Sequence, residues 1–211
     1  AKKNDSLFDP DIKCYSGNDY IVENLEGLDF KIGPKSFFQT NSKQALNLYT
    51  KALEFAGIEK GDTVYDLYSG TGTISNFIAK NAKKIIGVEQ IEEAVLAAKE
   101  NSKINSINNT LFFTGDAKDV LNPDFFAKHG KPDIIIVDPP RAGLHEKVVN
   151  EILNAEPPKF LYISCNPATQ ARDLALMADK YQIEKVQPVD MFPQTYHVEN
   201  IALMKLIPTI H

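Results

Sequence analysis

The chain has 211 residues, 43% of them hydrophobic and 24% charged, which is enough apolar content to bury a core and excludes a mainly disordered protein. No run of about 18 apolar residues is present to form a membrane-spanning helix, and the N-terminus lacks a secretory signal. The net charge of −5 argues by itself against a protein that binds nucleic acid over its whole surface. The two cysteines, Cys14 and Cys165, form no metal or disulfide motif, which fits the cytoplasm.

The first predicted elements are a hairpin and a helix. Alternating stretches at residues 20–25 and 28–32 predict a β-hairpin, and a helix is expected from about residue 41 to 55. We therefore divide the chain into a lead-in segment, residues 1–38, and a main domain, residues 39–211. Because Ala1 is not a methionine, we expect the chain to be a piece of a longer protein.

From residue 63 onward, strands and helices alternate. Strands are predicted at residues 63–68, 84–89, 111–114, 133–138 and 160–165, and helices at 73–80, 91–104, 145–155 and 168–180. Two extended stretches, about 182–190 and 197–207, follow each other without a helix and are expected to pair antiparallel. This alternation predicts an α/β fold with a doubly wound, mostly parallel sheet.

A glycine turn after the first of these strands is the first candidate site. Gly70 and Gly72 lie between a strand and a helix, where glycine lets the backbone approach a ligand closely. Glu89 ends the next strand, and an acid there can accept hydrogen bonds from ribose hydroxyls. The dinucleotide fingerprint has a third glycine where this chain has Ser75, which favours S-adenosylmethionine (SAM) over NAD. The alternative is a tight turn without a ligand.

Polar residues at three further strand ends are candidates for chemistry. Asp138 ends a strand and is followed by two prolines and Arg141, a candidate ligand for a phosphate or carboxylate. Cys165 ends the next strand just before a helix, whose N-terminus is expected to lower the pKa of the thiol. His197 and Glu199 precede the last strand and are candidate bases. The alternatives are a strand terminator, a buried structural cysteine and solvated edge residues.

Together these motifs resemble the RNA uracil-5-methyltransferase family, which methylates C5 of uridine in tRNA or large-subunit (23S) rRNA. The matching motifs come in the family's order: Phe37-Phe-Gln-Thr-Asn41, Asp66-Leu-Tyr-Ser-Gly-Thr-Gly72, Gly87-Val-Glu89, Asp138-Pro-Pro-Arg-Ala-Gly143, Ser164-Cys-Asn-Pro167 and Phe192-Pro with His197-Val-Glu199. The resemblance implies a Rossmann-like class I methyltransferase fold. Its sheet has seven strands, mostly parallel with an antiparallel last strand, and helices cover both faces.

The resemblance also implies roles for individual residues. It implies SAM as the cofactor, with contacts from Gln39, Tyr68, Glu89, Asp116 and Asp138 and from the turn at Gly70 and Gly72. It makes Cys165 the nucleophile and Glu199 the base. Apart from the resemblance, we expect Arg141 and His197 to bind the RNA substrate. Thr73 stands where family members often have Asn, so that contact carries over only weakly.

The implied chemistry explains these residue types. A Cys165 thiolate adds to C6 of uracil and activates C5, and Glu199 removes the C5 proton after methylation. The target base must leave its stack, which favours loop or single-stranded RNA. The form of the Asp138–Gly143 motif favours rRNA over tRNA. We expect a cytoplasmic monomer that uses neither metal nor membrane. Longer members carry an N-terminal RNA-binding barrel, so we expect most RNA affinity to lie outside this chain.

Three other functions remain open from the sequence. The first is a class I methyltransferase that acts on an exocyclic amine, although such enzymes follow Asp/Asn-Pro-Pro with an aromatic residue where Arg141 stands. The second is a non-catalytic RNA-binding domain that retains the fold. The third is an NAD-linked dehydrogenase, which the missing third glycine disfavours.

Overall fold

The computed structural model describes residues 12–34 and 36–208. The strands of this part are β1 (Ile21–Leu25), β2 (Leu28–Ile32), β3 (Thr63–Leu67), β4 (Lys84–Glu89), β5 (Thr110–Thr114), β6 (Ile134–Val137), β7 (Lys159–Ser164), β8 (Tyr181–Val189) and β9 (Glu199–Leu206). The helices are α1 (Ser42–Ala56), α2 (Thr73–Ile78), α3 (Glu92–Ile104), α4 (Ala117–Val120), α5 (Pro123–His129), α6 (Glu146–Ala155) and α7 (Pro167–Ala175). None of the helices in these ranges has the length and hydrophobicity needed to cross a bilayer.

Seven strands form one sheet in the order β5-β4-β3-β6-β7-β9-β8. Strands β3 to β7 all run parallel to one another, whereas β9 pairs antiparallel with both β7 and β8. The predicted fold class, a mostly parallel seven-stranded sheet with an antiparallel last strand, is confirmed. The hairpin β1–β2 forms a separate two-stranded sheet, as the alternating pattern of residues 20–32 predicts.

The sheet is covered on both faces by apolar side chains. All four residues of β6 are buried, and they alternate between two core clusters. Ile134 and Ile136 join the cluster that includes α1 and α2, while Ile135 and Val137 join the one that includes α6. A strand buried on both faces is typical of the centre of a doubly wound sheet, which explains the unbroken apolar run in the sequence.

The hairpin packs on the same core as α1. Leu25, Phe30 and Ile32 are buried in the first cluster. The backbone N–H of Lys31 donates to the side chain of Asn101 on α3, and that of Asp29 donates to Asn105 at the C-terminal end of this helix, each at 2.8 Å. The hairpin is therefore attached to the main domain by apolar packing and by polar contacts. The division at residue 38 stays a prediction.

Two differences from the predicted elements lie between strands. Helix α7 ends at Ala175, five residues before the predicted end. The chain from there to Lys180 continues in tighter turns, in which Met177 bonds to the carbonyl three residues back. The short helices α4 and α5 were not predicted, although Asp116 and Asn122 cap their N-termini through their side chains.

The direction of β9 decides which residues meet at the sheet edge. The carboxyl ends of β3, β4, β6 and β7 lie at one edge because these strands are parallel. β9 runs the opposite way, so its first residues reach that same edge. Its register pairs Asn200 with Ser164, which places Glu199 beside the chain segment that carries Cys165.

Candidate active site

The glycine turn after β3 leaves open space above it. Tyr68 and Gly70 both have positive φ angles, 63° and 52°, and a Cβ on Gly70 would meet no atom within 4 Å. Gly72 differs, because a Cβ there would lie 2.9 Å from the Cβ of Ala98 and 3.0 Å from the ring of Phe112. Gly72 is therefore required for packing between the turn and α3, whereas Gly70 faces space that a ligand can use.

Two acids line this side of the edge, and both are held by hydrogen bonds. Glu89 accepts from the backbone N–H groups of Gly70 (3.1 Å) and Ile91 (2.9 Å). Asp116 accepts from the backbone N–H of Lys118 at 3.1 Å and forms an ion pair with the same lysine. The hydrogen bond from the Lys118 ammonium is the main cause of the lowered pKa of Asp116. Both carboxylates are thus fixed in place without a ligand.

Gln39 is buried just before α1. Nearby Asn41 caps α1 and donates to the carbonyl of Met191 at 2.9 Å. This bond attaches the segment that carries Gln39 to the loop before β9.

Asp66 is a site feature that the sequence reasoning missed. Its side chain is fully buried in β3, and burial raises its pKa to about 7. One carboxylate oxygen accepts from the Ser75 hydroxyl at 2.6 Å, while the other has no hydrogen-bond partner among the described residues. Ser75, which stands where the dinucleotide fingerprint has its third glycine, therefore stabilises this buried acid by a hydrogen bond. An acid inside an apolar strand was the available signal.

Asp138 follows β6 at the centre of the edge. Burial raises its pKa to about 8, and the charges of Glu199 and Asp66 add to the shift. The same acids face Tyr49 of α1, whose pKa is raised by burial and then by Asp138. These groups form a crowded acidic centre in which a proton or a cation is favoured.

Arg141 is the cation that faces this acidic centre. Its Nη2 atom lies 3.0 Å and 3.1 Å from the two ring nitrogens of His197. Burial raises the pKa of Glu199, and the charge of Arg141 opposes part of that rise. The structure thus brings together the two residues predicted to bind substrate, and it places both beside the predicted base.

Cys165 does not have the lowered pKa expected from its place before a helix. Burial raises the pKa of its thiol, with Glu199 and Asp138 adding to the rise and the nearby Arg141 guanidinium opposing it. The expected lowering of this pKa was wrong, because burial and the two acids raise it. The Asn166 side chain already accepts from an N–H of that terminus, at 3.2 Å.

Apart from Gln39, which lies just before α1, the predicted site residues fall into two groups along the edge. The glycine-turn half comprises Tyr68, Gly70, Gly72, Glu89 and Asp116, at the ends of β3, β4 and β5. The cysteine half comprises Asp138, Arg141, Cys165, His197 and Glu199, at the ends of β6 and β7 and the start of β9. The part of the chain that the structure describes contains no group of three His, Cys, Asp or Glu residues arranged to hold a metal ion.

Comparison with known sequences identifies relatives along almost the whole chain. Residues 11–206 match the family described as tRNA (Uracil-5-)-methyltransferase. An uncharacterized RNA methyltransferase of Bacteroides thetaiotaomicron is 56% identical over 205 residues, which cover 97% of this chain and 45% of that protein. One of Porphyromonas gingivalis is 57% identical over 206 residues, covering 97% and 44%. The chain therefore spans less than half the length of these relatives.

Solved structures resemble the fold at two levels of similarity. The Pyrococcus abyssi tRNA (uracil-54, C5)-methyltransferase, in complex with S-adenosyl-L-homocysteine, has a TM-score of 0.81 and 36% identity. The match covers 97% of this chain and 48% of that one. The M. jannaschii TYW2 structure, in complex with AdoMet, has a TM-score of 0.65 at 16% identity and covers 92% and 90%. The second similarity concerns the fold alone.

Proposed function

The chain belongs to the tRNA (uracil-5-)-methyltransferase family, and we propose that it carries the catalytic domain of an enzyme that transfers a methyl group from SAM to C5 of a uridine in RNA. The proposal rests on the convergence of Cys165, Glu199 and Arg141 at one sheet edge, where the Arg141 guanidinium opposes the rise in the pKa values of the thiol and the carboxylate. A nucleophile next to a base is the arrangement that covalent catalysis requires.

The glycine-turn half fits SAM. The space above Gly70 admits a ligand, and Glu89 is anchored by two backbone donors with its carboxylate partly exposed, as ribose recognition requires. Tyr68 and Asp116 lie at the same edge, and Asp138 joins them from β6. When bound, SAM supplies the methyl group on a positively charged sulfonium. The S-adenosyl-L-homocysteine named for the Pyrococcus abyssi relative, which is SAM without the transferred methyl group, supports this assignment.

The cysteine half supplies the groups that activate uracil. The sulfur of Cys165 forms a bond to C6 of the uracil ring, and the electron pair displaced from the C5–C6 double bond makes C5 nucleophilic. Arg141 favours the thiolate form of Cys165 needed for this attack. After C5 has accepted the methyl group, Glu199 removes the C5 proton. The C5–C6 double bond re-forms and the Cys165 sulfur leaves C6.

The proposal extends to the kind of RNA that the enzyme methylates. The form of the Asp138–Gly143 motif favours 23S rRNA, as the sequence predicts. The Pyrococcus abyssi relative is named for uracil 54 of tRNA, which supports tRNA as the alternative. The free Cys14 and Cys165 support a reducing, cytoplasmic location, where both RNAs occur.

Tritium release tests this function. The full-length protein is incubated with SAM and with rRNA or tRNA carrying tritium at uridine C5. We expect release of tritium from one of the two RNAs, and no release with Cys165→Ala. Cys14→Ala is the matched control, since Cys14 is exposed and lies outside the site, and it is expected to release tritium normally. If neither RNA releases tritium, or if release persists in Cys165→Ala, the proposal is contradicted.

A further inference from the structure

The loop after β6, residues 138–144, is bound to α7 through its backbone. The carbonyl oxygen of Arg141 accepts from the side chains of Asn166 and Thr169, each at 3.1 Å. The carbonyl oxygen of Ala142 accepts from Arg172 at 2.9 Å, and the N–H of Leu144 donates to Asp173 at 2.7 Å. Three residues of this loop are thus tied to the first two turns of one helix.

Asp173 is the central acceptor of this connection. Its side chain is fully buried, and an unpaired charge there would be costly. It accepts from Tyr162 at 2.8 Å and from two nitrogens of Arg172, at 2.9 Å and 2.6 Å, besides Leu144. Its carboxylate therefore has four donors, and the guanidinium of Arg172 balances its charge.

The loop approaches this ion pair as closely as a backbone can. Gly143 has a φ of 82°, and a Cβ there would lie 2.4 Å from Oδ2 of Asp173 and 2.7 Å from Nη2 of Arg172. A side chain would thus collide with both partners of the pair. The close approach is consistent with a fixed rather than a sliding contact between loop and helix.

The loop and α7 each lie next to a residue of the proposed reaction centre. The loop carries Arg141, whose guanidinium reaches His197. Helix α7 starts at Pro167, two residues after Cys165, so any shift of the helix relative to the loop changes the position of the thiol relative to the cation.

We propose that the Arg172–Asp173 pair is a positioning device, which locks the loop of residues 138–144 onto α7 and so holds Arg141 beside Cys165 and His197. Arg172 and Asp173 act through Arg141 and are positioning residues. The inference rests on the proposed function for its catalytic meaning. The contacts that carry it are independent of RNA and SAM.

The test measures the reactivity of the Cys165 thiol in the protein without ligands. Iodoacetamide alkylation is followed as a function of pH by mass spectrometry of the peptide that contains Cys165, with exposed Cys14 as the internal reference. Burial, Glu199 and Asp138 raise the pKa of this thiol, and Arg141 lowers it. We expect Arg172→Ala to release Arg141, raise the pKa and slow alkylation at neutral pH by about threefold to tenfold, since the thiolate is the reactive form.

A double variant distinguishes positioning from a direct effect of the Arg172 charge. If Arg172 acts through Arg141, the variant Arg141→Ala/Arg172→Ala reacts no more slowly than Arg141→Ala alone. Additive effects, or an unchanged Arg172→Ala profile, would overturn the proposal. Lys180→Ala is the matched control, because it removes the exposed ion pair with Glu156 and is expected to leave alkylation unchanged.

Arg172→Lys keeps the inference testable if the alanine variant fails to fold. Lysine preserves a charge beside Asp173 but lacks the planar fork that bonds both Asp173 and the Ala142 carbonyl. We expect Arg172→Lys to slow alkylation at neutral pH by less than Arg141→Ala does and, in the methylation assay, to lower kcat by less than the loss of about 10- to 100-fold expected when Arg141 is displaced. A folded Arg172→Lys variant that is alkylated at the wild-type rate would contradict the bonding role. Failure of methylation by the wild type would contradict the proposed function and leave the alkylation result valid.

Discussion

The acidic side chains in the two halves of the sheet edge differ in their hydrogen bonding and in the direction of their pKa shifts. In the glycine-turn half, Glu89 and Asp116 are anchored by backbone N–H groups, and Lys118 keeps the pKa of Asp116 low. In the cysteine half, Asp138 and Glu199 are partly buried close to each other, and both pKa values are raised. The first half is therefore organised before any ligand arrives, while the second is acidic and crowded until it gains a proton or a cation.

The largest expected effect is that Cys165→Ala removes the chemistry of the cysteine half and leaves SAM binding by the glycine-turn half unchanged. Cys165→Ala should abolish methyl transfer, because no sulfur is left to add to C6, while the affinity for SAM stays near the wild-type value. Single-turnover assays measure the first quantity and calorimetry the second. A parallel loss of SAM binding would show that the halves are not independent.

Glu89→Gln is expected to have the opposite effect, because it weakens SAM binding by the glycine-turn half and leaves the cysteine half unchanged. Loss of the charge weakens hydrogen bonds worth about 1.5–3 kcal/mol, so the Kd for SAM should rise about 10- to 100-fold. Alkylation of Cys165 without ligands should be unchanged. Glu93→Gln, an exposed residue of α3, is the matched control for the charge change. An unaltered Kd would remove Glu89 from the cofactor site.

Ser75→Ala tests how much the hydrogen bond to the buried Asp66 stabilises the glycine-turn half. Its hydroxyl donates to the buried Asp66, and its loss leaves that carboxyl without this partner. We expect a stability loss of about 1–3 kcal/mol, measured by urea denaturation. Ser42→Ala is a milder comparison, since Ser42 bonds to Glu23 at a partly buried position. Equal losses for the two variants would show that burial of Asp66 does not matter.

A pH dependence of stability is expected from two acids whose pKa values are raised by burial, Asp138 and Asp66. The pKa of Asp138 rises to about 8 on folding, from an ordinary value of about 3.9. Between these values the folded state holds a proton that the unfolded state has lost, so stability falls as pH rises and levels off above about 8. Asp66 adds in the same direction up to about 7. In thermal unfolding between these limits, Asp138→Asn should show a smaller decline than the wild type, and an identical slope would contradict the assignment.

The fold and the place of the site could be predicted because they depend on local pattern. The buried run of β6 and the glycines after β3 mark strand ends, and parallel strands bring those ends to one edge. The ionisation of Cys165 could not be predicted in this way, because it sums burial and charges that lie 24 to 34 positions away in the chain. The Arg172–Asp173 pair was missed as a unit for the same reason, since its contacts reach back about 30 residues to Ala142 and Leu144.

The antiparallel direction of β9 has a consequence for tolerance to insertions. Cys165 follows β7 directly and Glu199 begins β9, and these two strands are paired over six residues from Lys159 to Ser164. Their backbone hydrogen bonds set the spacing between the thiol and the carboxylate. A loop that gains or loses residues between Phe192 and Tyr196 therefore leaves this spacing intact, so the loop can change length while the proposed reacting groups stay in register.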